Sequence, residues 1–93
     1  MSYSVRIKRS AAKELARIPQ PQRRRLIEAI DSLPNNPLIG TVLKGQLRGL
    51  RRVRVGDYRI VYEVQERALV VLVVRVAHRR AVYGNGQKPG LHL

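Results

Sequence analysis

Apolar and polar residues alternate at the start of the chain. Tyr3, Val5 and Ile7 fall on one side, Ser4, Arg6 and Lys8 on the other, a period of two that predicts a strand with one wet face. The period then lengthens. Leu15 and Ile18 stand at helical spacing behind Ser10, a helix-capping residue type, so a short helix is expected from Ser10 to about Ile18. Pro19 and Pro21 interrupt it. Leu26, Ile30 and Leu33 resume the helical period from about Gln22, and Pro34 stops the second helix. The stretch "NNPLIGTVLKGQLRG", residues 35–49, is rich in Gly, Pro and Asn and reads as loop.

Three strand-like runs follow, roughly Leu50 to Val55, Tyr58 to Gln65 and Ala68 to Ala77. The order β-α-α-β-β-β predicts an α+β domain, a helical hairpin packed on one face of a small, mainly antiparallel sheet. Residues 1–83 form that domain, and "GNGQKPGLHL", residues 84–93, reads as a loose tail. There is no internal repeat and no linker.

Gly56-Asp57, set between two alternating runs, predicts a two-residue hairpin turn with Gly at positive φ. The register follows: Val55 opposes Tyr58, Arg54 opposes Arg59, Val53 opposes Ile60 and Arg52 opposes Val61. Val53, Val55, Tyr58, Ile60, Tyr62 and Val64 then share the face under the helices. Arg52, Arg54, Arg59 and Glu63 share the other. Like charges directly across a sheet are unfavourable. A solvated surface accounts for any one of these arginines; their convergence on one patch points to a polyanion.

Composition sharpens that reading. Nineteen basic residues against six acidic ones give a net charge of +13, and 15 of the basic residues are arginine. Guanidinium groups bind phosphate oxygens in pairs and stack on bases, which favours RNA over a membrane surface. The absence of Cys excludes disulfides and thiolate chemistry, and His78 and His92 are too few for a metal site. No cofactor is implied. The apolar run "ALVVLVV" is too short to span a bilayer, and the N-terminus has no apolar signal core, so a cytoplasmic protein without membrane contact is expected. Leu, Ile and Val number 11, 6 and 12, enough for one folded core. A further basic group, His78, Arg79 and Arg80, stands where the last strand should end, with Tyr83 close behind.

"LKGQLRGLRRVRVGDYRIVYEV" followed by "VVLVVRVAHRRAVY" resembles the RelE/ParE superfamily of type II toxin–antitoxin toxins, specifically its RelE branch. The resemblance runs from the first strand to Tyr83. It implies a compact α+β fold similar to small microbial ribonucleases. It also implies a toxin that enters the ribosomal A site, cuts mRNA there, and is silenced by a cognate antitoxin. Family catalysts use basic residues on the second strand, an Arg after the following turn, an Arg after the last strand and a nearby Tyr. By position these match Arg52 and Arg54, then Arg59, Arg79 and Tyr83. The best-studied RelE-like pattern has lysine where this chain has Arg52, Arg54 and His78.

Metal-independent RNA cleavage by 2′-hydroxyl attack needs a base, an acid and stabilisation of charge on phosphorus. Arginine suits the last task and is a poor base. Arg59 and Arg79 are assigned to the phosphate charge, and Arg52 and Arg54 to holding the strand. Tyr83 and His78 are alternative proton-transfer groups. Arg51, Arg80, Lys44 and Arg48 join Arg52 and Arg54 as candidate RNA contacts. The expected partners are mRNA on the ribosome, rRNA, and an acidic, RelB-like antitoxin in a hetero-oligomer, with Arg23, Arg24 and Arg25 as further candidate contacts. Two rival functions share these features. One is a ParE-like gyrase poison that cleaves nothing. The other is a non-enzymatic RNA-binding module, weakened by having only four aromatics, all Tyr.

Overall fold

The computed structural model describes residues 2–80; Tyr83 and the tail from residue 84 lie outside the described residues. Strand β1 (Ser4–Ile7) leads into helices α1 (Arg9–Ala16) and α2 (Gln22–Ser32), and strands β2 (Thr41–Val42), β3 (Arg51–Val55), β4 (Tyr58–Gln65) and β5 (Val70–His78) follow. The sheet order is β1-β5-β4-β3-β2. β1 runs parallel to β5, and the other neighbours are antiparallel. Because β1 and β2 are the two edges, the helical pair between them crosses the whole sheet on one face. This is the α+β architecture expected from the sequence.

One core fills the space between the layers. Leu15, Ile18, Leu26, Ile30 and Leu33 from the helical layer meet Ile60, Tyr62, Val71, Val73 and Val76 from the sheet. Each such aliphatic side chain contributes roughly 1.5–3 kcal/mol by leaving water. The predicted hairpin register is observed at every pair, and Gly56 takes φ +59° at the first turn position.

Four local expectations change. α1 begins at Arg9, with Lys8 at its N-cap and no side-chain cap, so Ser10 lies inside the first turn. The supposed loop of residues 35–49 contains β2 and a single turn of 3-10 helix, Gly45–Leu47, and another such turn, Leu33–Asn35, leads into it. Ile7 remains 37% exposed, whereas Tyr3 and Val5 pack on the core. β5 starts at Val70 and ends at His78, a later span than Ala68 to Ala77.

A register shift on β5 explains its mixed pattern. Val61 pairs with Arg75 but Tyr62 pairs with Val73, leaving Val74 as the extra residue of a bulge. Val71, Val73 and Val76 can therefore all reach the helical layer. Beyond the end of β1, Glu14 of α1 closes the strand: its carboxylate accepts the Val76 N–H at 2.9 Å and the Arg75 Nε–H at 2.8 Å. Among the described residues, no helix is long and apolar enough to cross a membrane.

Candidate nucleic-acid interface

The tight turn at Gly56-Asp57 and the end of β5 meet at one end of the sheet. The Arg79 N–H donates to the Asp57 carbonyl at 2.6 Å, and the Arg79 guanidinium stands 3.6 Å from the Asp57 carboxylate. Those two contacts bring residues from opposite sides of the sequence gap together. An open cleft of about 420 Å³ results, lined by Arg54, Gly56, Tyr58, Arg59, Arg79 and Arg80. A neighbouring cleft of about 430 Å³ is lined by Ile39, Thr41, Arg52, Val53 and Arg54. Arg54 belongs to both.

Cross-strand pairing orders the arginines. Arg54 faces Arg59, which in turn faces Ala77; Arg52 lies between Thr41 and Val61. The small Ala77 leaves room beside Arg59. Val61, on this same face, is fully buried, so the face is less uniformly wet than strict alternation implies; its two cross-strand partners, Arg52 and Arg75, have long aliphatic stems. Four guanidinium groups around one cleft, with the Asp57 carboxylate 3.6 Å from that of Arg79, make a positive concavity suited to phosphate.

His78 closes β5 opposite Tyr58, and the two rings meet edge-to-face, 5.2 Å between centroids at 86°. Its Nδ1 accepts the Arg80 N–H at 3.1 Å. The neutral ring therefore carries its proton on Nε2 and offers a donor rather than a free lone pair. That geometry suits a hydrogen bond to phosphate better than the role of a base.

The other candidates are dispersed. Lys44 and Arg48 flank the Gly45–Leu47 turn, exposed and outside both clefts. Arg51 shares parity with Val53 and Val55, and its guanidinium donates to the carbonyls of Leu38 and Gly40, at 3.2 and 2.9 Å. It anchors a loop and is not presented to a ligand. Arg23 donates to the Ala16 carbonyl at the end of α1. Arg52, Arg54, Arg59, Arg79 and Arg80 are thus brought together, with His78 adjoining; Tyr83 is outside the described residues.

Two positioning features carry no obvious sequence signal. Asp57 ties Arg79 to the hairpin. Tyr62, fully buried, donates its hydroxyl to the Pro37 carbonyl at 2.7 Å and accepts the Gly40 N–H at 2.9 Å. Burial pushes the Tyr62 phenol above its ordinary pKa, against the opposing pull of the Gly40 N–H and the Arg51 charge. Together Tyr62 and Arg51 fix residues 37–40, the segment that carries Ile39 to the wall of the Arg52 cleft.

A sequence profile described as the ParE toxin of the type II toxin–antitoxin system parDE matches residues 5–83. Toxin RelE of Mycobacterium tuberculosis is 36% identical over 83 residues, covering 87% of this chain and 86% of the relative. Toxin RelG of the same organism is 32% identical, covering 89% and 98%. In the crystal structure of the M. tuberculosis toxin–antitoxin complex RelBE2, the matching chain superposes with a TM-score of 0.79 at 30% identity, covering 85% of this chain and all of that one. With fold, cleft and sequence in agreement, the chain belongs to the RelE/ParE superfamily of type II toxin–antitoxin toxins.

Proposed function

We propose that this toxin arrests translation by cutting mRNA in the ribosomal A site. The observation that carries the proposal is the convergence of Arg54, Arg59, Arg79 and Arg80 on one cleft. In the reaction, the 2′-oxygen attacks the adjacent phosphorus, forming a new P–O bond as the bond to the 5′-oxygen breaks. The products are a 2′,3′-cyclic phosphate and a 5′-hydroxyl. A base receives the 2′-hydroxyl proton, and an acid supplies one to the departing 5′-oxygen. Arg59 and Arg79 stabilise the extra negative charge on the phosphoryl oxygens, an electrostatic role that needs no change in their own protonation. Arg52 and Arg54 hold the flanking phosphates. The cleft's cationic lining repels a divalent ion, so arginine takes the place that a metal fills in other nucleases.

Tyr83 is assigned the base, and His78 the acid in its doubly protonated imidazolium form, which gives up the Nδ1 contact with the Arg80 N–H. A Tyr83→Phe variant that keeps RNA binding but loses cleavage supports that assignment; unchanged cleavage moves the base elsewhere.

The partner is an acidic, amphipathic, RelB-like antitoxin, bound in a hetero-oligomer. Leu38, Ile39 and Val42 are 55, 61 and 53% exposed, and Ile39 lines the Arg52 cleft. Apolar surface beside arginines suits a segment that carries both leucine-like and carboxylate side chains. Charge complementarity should speed association at low ionic strength. The site of action is the cytoplasm, where ribosomes are.

The ParE description of the matching profile favours a second reading, a gyrase poison on the same fold. The two separate in one experiment. The chain is induced without its antitoxin, mRNA ends are mapped by primer extension, and supercoiling by gyrase is assayed in parallel. New ends inside coding regions, in step with the reading frame, support mRNA cleavage. Intact mRNA with gyrase-linked DNA breaks transfers the protein to the gyrase reading.

A further inference from the structure

The outward side of α1 carries a row of cations. Arg9 and Lys13 of α1 and Arg17 at its C-cap are four residues apart, so they fall along one side at steps of about 6 Å. All three are exposed, as are Ala12 and Ala16 between them. A step of that size is comparable to the spacing of phosphates along an RNA strand, and the methyl groups leave the helix surface open to close approach.

Nothing within the helix balances this row. Its one carboxylate, Glu14, is turned towards β5, where Arg75 and the Val76 N–H hold it. Like charges four residues apart repel on a helix, and Arg9 in the first turn opposes the helix dipole. α2 differs: exposed Arg24 is followed by Glu28 four residues on, with exposed Asp31 close by. Lys13 in the last turn and Arg17 at the C-cap suit the helix dipole, so folding gives a reason for those two and none for Arg9 or for the alignment of all three.

The row also lies on the far layer from the arginine clefts. α1 packs on the helix-covered face of the sheet, whereas Arg52, Arg54 and Arg59 project from the opposite face. A single strand held in the cleft has no need of cations there. A folded RNA that closes around the protein presents phosphates on both sides. An acidic protein segment is the rival occupant, but protein interfaces are anchored by bulky apolar and aromatic side chains, and the outward side of α1 offers only alanine between its cations.

We propose that the exposed side of α1, through Arg9, Lys13 and Arg17, is a second RNA contact that binds the phosphate backbone of structured RNA. Its partner class rests on the RNA reading of the cleft. The test measures binding, not cleavage, so the two fail separately: wild-type protein that binds duplex through α1 yet cuts no mRNA overturns the catalytic reading alone.

The full chain with Arg9, Lys13 and Arg17 all replaced by Ala is titrated with a short fluorescent RNA duplex, a short single strand and purified ribosomes over a salt series. Alanine is the best helix former, so the fold should hold, and circular dichroism checks it. The expected result is a loss of at least about tenfold in duplex and ribosome affinity at low salt. The slope of log affinity against log salt should fall by about 2 to 3, with single-strand binding changed less than about threefold. Arg9→Lys with Arg17→Lys, which keeps the charge, should leave the slope unchanged. An unchanged slope in the alanine variant overturns the proposal, as does an equal loss for the single strand, which marks a general charge effect. Normal RNA binding with a lost antitoxin complex also overturns it and gives this face to the protein partner.

Discussion

Arg54 on β3 and Arg59 on β4 are direct cross-strand neighbours on the face of the sheet away from the helices. Such a pair costs the empty protein up to about 1 kcal/mol, and a phosphate between the two reverses the sign. Arg59→Gln is therefore expected to leave stability within about 1 kcal/mol of wild type. Cleavage of mRNA in programmed ribosomes should fall about 10²–10³-fold, the usual effect of losing one donor aimed at developing charge. Thermal melting and single-turnover cleavage, measured on the same preparation, check both halves. A variant that melts early yet cuts normally once folded makes the pair structural.

Tyr62 should show its role in the alkaline range. Its phenol titrates higher in the fold than the ordinary value of 10.0, so the folded state holds its proton more tightly than the unfolded chain. Stability from this group is fully present below about pH 10 and declines as pH rises through the higher folded value. Tyr62→Phe is expected to lower stability by about 1–3 kcal/mol at neutral pH, because the Pro37 carbonyl and the Gly40 N–H lose their partner. It should also flatten the fall in melting temperature above pH 10 relative to wild type. An equally steep alkaline fall in the Phe variant assigns that fall to other groups.

Gly40 admits no side chain. A Cβ there would stand 2.7 Å from the Tyr62 hydroxyl and 2.9 Å from the Arg52 carbonyl oxygen. The second contact is to backbone, which cannot swing away. Gly40→Ala should cost about 1–3 kcal/mol and shift β3 where it carries Arg52, weakening RNA binding as well. Urea titration with RNA-binding isotherms measures both, and wild-type behaviour in each would mean that the segment relaxes freely.

The sequence made the hairpin legible because Gly56-Asp57 sets both the turn and the parity of every residue beside it. The same parity also places Arg51 with Val53 and Val55, under the helices; charge alone grouped it with the exposed arginines, and parity outweighs charge there. β2 escaped notice because two residues, Thr41 and Val42, are too few to show alternation within a Gly- and Pro-rich stretch. The contact between Gly40 and Tyr62 spans 22 residues and leaves no local pattern. The bulge at Val74 is likewise set by pairing partners and by Glu14 on another element. Short-range periodicity reads strands and faces; it does not read which distant backbone group a side chain will satisfy.

Glu14 tests that last point. Glu14→Ala leaves the Val76 N–H without its acceptor and should cost about 1–3 kcal/mol. Glu14→Gln keeps an oxygen for Val76 and loses the charge and the acceptor opposite Arg75, in a pair whose side chains are 31 and 25% exposed. Its cost should be smaller by about 1 kcal/mol, since partly exposed ion pairs contribute little. Equal losses in the two variants, read from chemical denaturation, would make the ion pair rather than the backbone cap the stabilising contact.

Asp57 yields a prediction with the opposite sign from the arginines. Its carboxylate stands 3.6 Å from the Arg79 guanidinium, and both side chains are well exposed, 64 and 60%. An exposed pair of this kind is weak, about 0.2–1 kcal/mol. In the empty cleft, Asp57 occupies Arg79 as an internal anion; an incoming phosphate competes with it for the same guanidinium and is repelled by its charge. Asp57→Asn removes the competitor while keeping a residue type that suits this turn position. The Arg79 N–H keeps its acceptor in the variant, because that contact is to the backbone carbonyl and not to the side chain. Binding of a 2′-deoxy oligonucleotide, which cannot be cut by 2′-oxygen attack, should tighten by about 1.4- to 5-fold, the range that such a pair energy converts to. The salt dependence should steepen slightly, because a phosphate then meets a more positive cleft. Fluorescence anisotropy over a salt series measures both. Weaker binding in the Asn variant would show instead that the Asp57 carboxylate holds Arg79 in the geometry that phosphate needs, and that this orientation outweighs the charge it places in the way.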